Sequence, residues 1–107
     1  MAIPPIAEIE LLHNRMCKAV GDTTRIRILY ALNDKPQYVT ELAELLAIPQ
    51  PTVSRHLAIL KQCNLVVAER DGAAVYYRLT DERIISVLDT MRQLLRESVN
   101  SLQDILS

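Results

Sequence analysis

The stretch Pro51 to Val66, PTVSRHLAILKQCNLV, decides how the rest of this chain is read. Val53, Leu57 and Leu60 fall at i, i+4 and i+7, the spacing of one apolar helix face. Thr52, Arg55, His56 and Ile59 lie around the other side, and Ser54, Arg55 and His56 are consecutive. This spacing predicts a helix that buries its aliphatic side while Arg55 and His56 project outward near its start. A core helix has no use for such a trio; a helix pressed against a polar, negatively charged surface does.

The neighbouring segments give that helix a setting. Upstream, Ile9, Leu12, Met16 and Val20 recur at helical spacing, and Gly21 is placed to end the helix. Asp22 can cap a second helix, TTRIRILYALND, with the stripe Ile26, Leu29 and Leu32. Pro36 breaks the chain, and Val39, Leu42, Ala43, Leu45 and Leu46 predict a short third helix capped by Thr40 or begun near it. The tight connection AIPQ leads into the opening stretch. Downstream, LVVAER and AVYYRLT are β-branched and aromatic runs separated by DGA, and Asp71-Gly72 is a strong hairpin signal. Thr80 or Asp81 then caps a last helix of roughly 24 residues, about 36 Å long, with apolar positions Ile84, Leu88, Met91, Leu95, Leu102 and Ile105.

The expected fold is therefore mainly α with a small β-hairpin, in the order α-α-α-α-β-β-α. Two short helices joined by a tight turn, the second polar on its exposed side, make a helix-turn-helix, and the hairpin after them makes a wing. The major groove of duplex DNA admits one helix and is read by hydroxyls, amides, guanidinium and imidazole groups. Gln50, Thr52, Ser54, Arg55 and His56 supply these within seven residues, with Arg70 and Gly72 at the hairpin tip reaching flanking DNA.

Composition sets the bounds. The 107 residues predict one domain, residues 1–107, and a domain of this size buries only about two-thirds of its unfolded surface. The long last helix exceeds what so small a core can cover. With the apolar first helix it predicts a homodimer through Ile9, Leu12, Met16, Leu88, Met91, Leu95 and Leu102. Net charge is −1 with pI about 6.1, so only the local distribution favours a polyanion: no acid lies between Glu44 and Glu69, a window that holds Arg55 and Lys61. Neither a secretory leader nor a run of the ~18 apolar residues that a membrane span needs is present, so a cytoplasmic location is expected. An enzyme is disfavoured. The two glycines cannot build a phosphate-cradling loop, Ser54 and His56 at i, i+2 point apart on a helix, and no paired acids stand at catalytic spacing. The competing class is a winged-helix protein–protein adaptor that binds no DNA.

KAVGDTTRIRIL, VTELAELLAIPQPTVSRHLAILKQCNLV and RDGAAVYYRLTD, taken together, resemble the ArsR/SmtB family of winged helix-turn-helix repressors over residues 15 to 97. The resemblance implies a homodimer that binds a two-fold double-stranded DNA operator and changes affinity when an effector arrives. It places the recognition helix on Gln50 to Gln62 and the wing on Arg70 to Ala74. Pro49 departs from the serine that often caps this helix in relatives. The family's metal sites do not carry over: where a C-V-C-D-L-A pattern would hold two thiolates, YVTELA places Tyr38 and Thr40. Where the last helix would supply Asp and His, then His and Glu, this chain has Asp81, Arg83, Leu94 and Glu97.

No cofactor is expected, and the two cysteines are the reactive groups that remain. Cys63 sits where some cadmium- or lead-sensing relatives have a ligand, but Ile59 replaces its partner. His13 and Cys17, at i, i+4, share a face and could hold one soft ion. Beside apolar neighbours, Cys63 and Cys17 read first as small buried hydrophobes, and His13 as a surface or interface residue. A soft metal or thiol redox effector is what this leaves open.

Overall fold

A computed structural model describes residues 2–106, with the side chains of 101–106 outside the description. The first helix, α1, runs without interruption through an α-helical segment Ile6–Leu12, a π-helical turn His13–Cys17 and a final turn Lys18–Val20. It is followed by α2 (Thr23–Asp34), a two-residue strand β1 (Gln37–Tyr38), α3 (Val39–Leu46), α4 (Gln50–Gln62), β2 (Val66–Asp71), β3 (Ala74–Leu79) and α5 (Arg83–Leu106).

Local chemistry explains most boundaries. The Asp22 carboxylate accepts from the amides of Thr24 (2.8 Å) and Arg25 (3.4 Å) and so caps α2. The N-cap of α3 is Tyr38 rather than Thr40; the Glu41 carboxylate reaches back to the Tyr38 amide at 2.9 Å. Helices α3 and α4 end in the same way. Ala47 (φ 55°) and Asn64 (φ 60°) turn into the left-handed region. The amides of Ile48 and Leu65 then return to the carbonyls of Ala43 (3.1 Å) and Leu60 (3.0 Å), the six-to-one closure of a Schellman motif. A three-residue turn, Ala47 to Pro49, is all that separates α3 from α4.

The strands form one antiparallel sheet in the order β1-β3-β2. The hairpin expected from Asp71-Gly72 is present, shifted by one residue. Asp71 pairs with Ala74 as the last rung, so Gly72 and Ala73 form the turn. Gly72 carries the positive φ of 61°, the first-position glycine of a type II′ connection. Strand β1 was not expected; it pairs Gln37 with Tyr77 and Tyr38 with Tyr76. Its anchor is Gln37, the buried polar residue among those described, whose side-chain amide donates to the Ala31 carbonyl at 2.7 Å.

Ile28, Leu29, Leu42, Val53, Leu57 and Leu60 are fully buried where α2, α3 and α4 meet, and Leu65, Val66 and Leu79 close the core from the sheet side. Helix α5 enters this core through Ile85 and Leu88, with Ile84 half-buried against it. At the residue after Leu88 the Tyr30 hydroxyl donates to Asp89 at 2.6 Å, and Arg92 both contacts Asp89 (3.1 Å) and lies 5.3 Å above the Tyr30 ring. From Asp89 to Asn100 every residue is exposed. The radius of gyration is 16.5 Å, where a compact chain of this length would show about 13 Å.

Candidate nucleic-acid interface

Helix α4 has the expected buried face, but of the residues expected opposite it Arg55 is exposed while Thr52, His56 and Ile59 are half-buried, Ile59 against the core. Val53, Leu57 and Leu60 face inward, while Gln50, Pro51, Ser54, Arg55, Ala58, Lys61 and Gln62 are exposed. Arg55 is exposed; among the described residues its one hydrogen bond is a donation to the Thr52 hydroxyl at 3.3 Å. Thr52 lies half-buried at the edge of this face. Pro49 occupies the N-cap position without a side-chain cap, and Pro51 follows inside the first turn. The positive end of the helix dipole therefore stays uncovered by any capping side chain, as suits an anion. Ala58 was not singled out from sequence, yet it sits mid-stripe with a side chain short enough for close approach to a flat partner.

His56 departs from the expected outward projection. It is half-buried, its Nδ1 lies 3.2 Å from Arg25 Nη1 and its Nε2 lies 4.0 Å from the Asp22 carboxylate. At the flank of the apolar stripe, the imidazole turns toward the start of α2. Cys17 and Cys63 part ways: Cys63 is buried, as expected, while Cys17 is exposed, and so is His13. The π-helical turn, which no residue pattern signalled, displays both His13 and Cys17.

The wing is braced. Tyr38 donates to Asp71 at 2.9 Å and packs edge-on against Tyr76, with ring centroids 6.0 Å apart. Tyr76 donates to Glu69 at 2.8 Å, and Glu69 also pairs with Arg78. The Tyr76 hydroxyl, then the Arg78 guanidinium, hold the Glu69 carboxyl below its ordinary range. Arg70 and Gly72 are exposed at the tip.

The remaining large apolar side chains gather elsewhere. Ile6, Leu12 and Met16 on α1 and Val87, Met91, Leu94 and Leu95 on α5 are exposed, several by more than half. Ile9 is half-buried. Leu88, expected at a dimer interface, is 6% exposed and belongs to the subunit's own core, because the stripe it shares with Ile85 is the one that seats α5. Leu102 lies outside the described side chains.

The sequence model of the bacterial regulatory protein, arsR family, matches residues 22–67, from the α2 cap through α4 to the start of β2. The HTH-type transcriptional regulator CmtR of Mycobacterium tuberculosis is 40% identical over 79 residues, 74% of this chain and 67% of that protein. The chain belongs to the ArsR family. Another relative, the HTH-type transcriptional regulator KmtR of the same organism, is 42% identical over 67 residues, 63% of this chain. This chain spans about half of that relative's length, 52%. Among solved structures, the cadmium metal-sensor CmtR superposes with TM-score 0.64 at 40% identity, covering 76% of this chain and 84% of that one. The homodimeric winged helix-turn-helix DNA-binding domain of a possible ArsR-family regulator from Mycobacterium bovis gives 0.80 at 25% identity, covering 94% and 93%.

The positions that bind metal in the ArsR resemblance are otherwise engaged here. Tyr38 spends its hydroxyl on Asp71. Asp81 receives the Arg83 fork, with Nη2 at 2.7 Å and Nε at 3.0 Å, and caps α5 by accepting the Arg83 amide at 2.8 Å. An arginine cannot ligate a cation, and Leu94 offers no donor, so these residues do not fit a metal. Among the described residues no three His, Cys, Asp or Glu side chains are grouped to hold one.

The Arg83 fork, followed by the Arg83 amide, pulls the Asp81 pKa down from 3.8 to about 2. A carboxylate whose pKa falls on folding stabilises the fold above its ordinary range and loses that contribution as pH drops toward the folded value. Asp81→Asn, which cannot titrate, is expected to flatten the stability curve between pH 4 and pH 2 relative to the parent; urea midpoints across that range measure it. Equal slopes in the two proteins would mean that the fork does not form in solution.

Proposed function

We propose that this chain is a DNA-binding transcriptional regulator that acts as a homodimer, most simply a repressor of a promoter carrying a two-fold operator. The observation that carries this reading is the exposed stripe Gln50, Ser54, Arg55, Ala58 and Lys61 on a helix held by a three-residue turn and followed by a braced wing. It supplies amide, hydroxyl and guanidinium groups at the helix start and a cation further along, as a major-groove reader requires. Arg70 at the wing tip would meet flanking phosphate, and Gly72 lets the tip approach closely. Thr52, half-buried, would contribute its hydroxyl from the edge of the helix.

The apolar faces of α1 and α5, with Ile9, Leu12, Met16, Met91 and Leu95, would pack against the same faces of a second copy. Two α4 helices would then enter successive major grooves about 34 Å apart. The matching relatives are named as transcriptional regulators, and the described residues contain no helix long and apolar enough to cross a membrane. The work of such a regulator is in the cytoplasm.

The test is an anisotropy titration against the promoter DNA of its own operon and against random duplex, at two salt concentrations. Preference for the promoter with a steep fall in affinity at higher salt is expected, since phosphate contacts release counterions. No preference would leave the adaptor reading standing. As effector we propose thiol chemistry, oxidation or soft-metal capture, at Cys17, the exposed cysteine; Cys63, being buried, responds only if the core opens. Operator release by diamide or Cd²⁺ should vanish in Cys17→Ser and persist in Cys63→Ser. Full release in both variants would remove the thiols from the mechanism.

A further inference from the structure

We propose that Arg25 is a positioning residue for DNA recognition: one guanidinium ties the end of α1 to the recognition helix α4 through His56. The inference rests on the reading of α4 as the DNA-reading helix. Arg25 stands in the first turn of α2 and reaches three acceptors on two other elements. Its Nε donates to the Ala19 carbonyl at 2.9 Å, its Nη2 to the Lys18 carbonyl at 2.8 Å, and its Nη1 faces His56 Nδ1 at 3.2 Å.

Each acceptor has a physical reason to be there. Lys18 and Ala19 form the last turn of α1, where carbonyls are short of partners and a cation is favoured by the dipole; the Lys18 carbonyl otherwise accepts a long bond from the Gly21 amide at 3.4 Å. Gly21 ends that turn, and a Cβ there would come within 3.1 Å of the Cys17 carbonyl, so the chain closes tightly beneath the guanidinium. A guanidinium can only donate, so the contact with Arg25 needs His56 Nδ1 as an acceptor. The ring proton then sits on Nε2, on the side of the Asp22 carboxylate 4.0 Å away. Asp22 in turn caps the helix on which Arg25 stands.

The consequence is a rigid three-way joint. Helix α1 carries the apolar face that would meet a second copy, and Cys17 lies one residue before the Lys18 carbonyl that Arg25 holds. A shift of the last turn of α1 moves the guanidinium, and through His56 it moves α4 within the major groove. His56 accordingly seats the helix rather than reading a base. Lysine cannot replace Arg25, because a single ammonium lacks the planar fork that spans these acceptors.

The experiment uses the full chain and its promoter, with Arg25→Lys, His56→Ala and the double variant. Long-range ¹H–¹⁵N spectra of the imidazoles give a readout that a loss of packing alone would not move. The chain has two histidines, and His13→Gln distinguishes them. His56 is expected to show the Nε2-protonated tautomer in the parent and a mixture of tautomers in Arg25→Lys. Each single variant should lower promoter affinity by about tenfold, leave random-duplex affinity within about twofold, and the double variant should lose no more than either, the mark of residues acting as one unit.

Parental promoter affinity and an unchanged His56 spectrum in Arg25→Lys would overturn the proposal. So would losses that multiply in the double variant. If the parent itself fails to prefer its promoter, the DNA reading falls, whereas the tautomer of His56 still reports separately whether the joint exists.

Discussion

Leu95→Glu is expected to give monomers that no longer retain promoter DNA. Leu95 is 64% exposed on α5, beside Leu94 at 61% and Met91 at 55%, and Ile6, Leu12 and Met16 of α1 are exposed as well. So large an apolar surface on so small a chain is costly in water, at about 25 cal/mol for each Å² left uncovered. In a two-fold pair the substituted position occurs twice, and each copy would bring a carboxylate into apolar contact without a partner, a penalty of several kcal/mol. A single subunit keeps one reading helix and loses the second half-site, so promoter affinity should collapse toward that of random duplex. Sedimentation velocity and anisotropy measure the two effects. A Leu95→Glu protein that remains dimeric would refute the interface. The contrast is Leu88→Glu: that residue is buried in the subunit's own core, so its variant should unfold rather than dissociate.

Arg55→Ala should weaken promoter binding by roughly 1–3 kcal/mol and relax base preference at one position of each half-site. The side chain is exposed and its one hydrogen bond among the described residues, with Thr52, is long at 3.3 Å. Its removal should therefore leave stability within about 0.5 kcal/mol of the parent. That combination separates recognition from folding. Lys61→Ala serves as comparison: at the far end of the same stripe it should weaken promoter and random duplex alike and lower the salt dependence, as a phosphate contact does. Unchanged promoter affinity in Arg55→Ala would mean that α4 lies in another register on the DNA.

The elements that repeat with the helix period are legible in the sequence. The buried stripe Val53, Leu57 and Leu60 follows from spacing alone, and so does the length of α5; of the residues expected opposite that stripe, Arg55 is exposed while Thr52, His56 and Ile59 are half-buried. What sequence hid was set by residues distant along the chain. Nothing within α4 says that His56 meets Arg25, 31 positions away; on a helical wheel it sits at the flank and could turn either way. Strand β1 is two residues long, too short for an alternating pattern, and exists because β3 offers it an edge. The wing turn slipped by one residue because Asp71 is held in the ladder by its pairing with Ala74. Leu88 and Leu95 lie on one stripe, and only the docking of Tyr30 on Asp89 shows where core ends and open surface begins.

That anchor has a mechanical consequence. Helix α5 is pinned to the body near one end, by Ile85, Leu88 and the Tyr30–Asp89 bond, and extends unsupported beyond it. It is a lever with a short arm and a long one. In a pair joined along the long arms, a slight tilt at the pin would be amplified into the gap between the two α4 helices, which would gear their spacing to Ile85, Leu88 and one tyrosine hydroxyl.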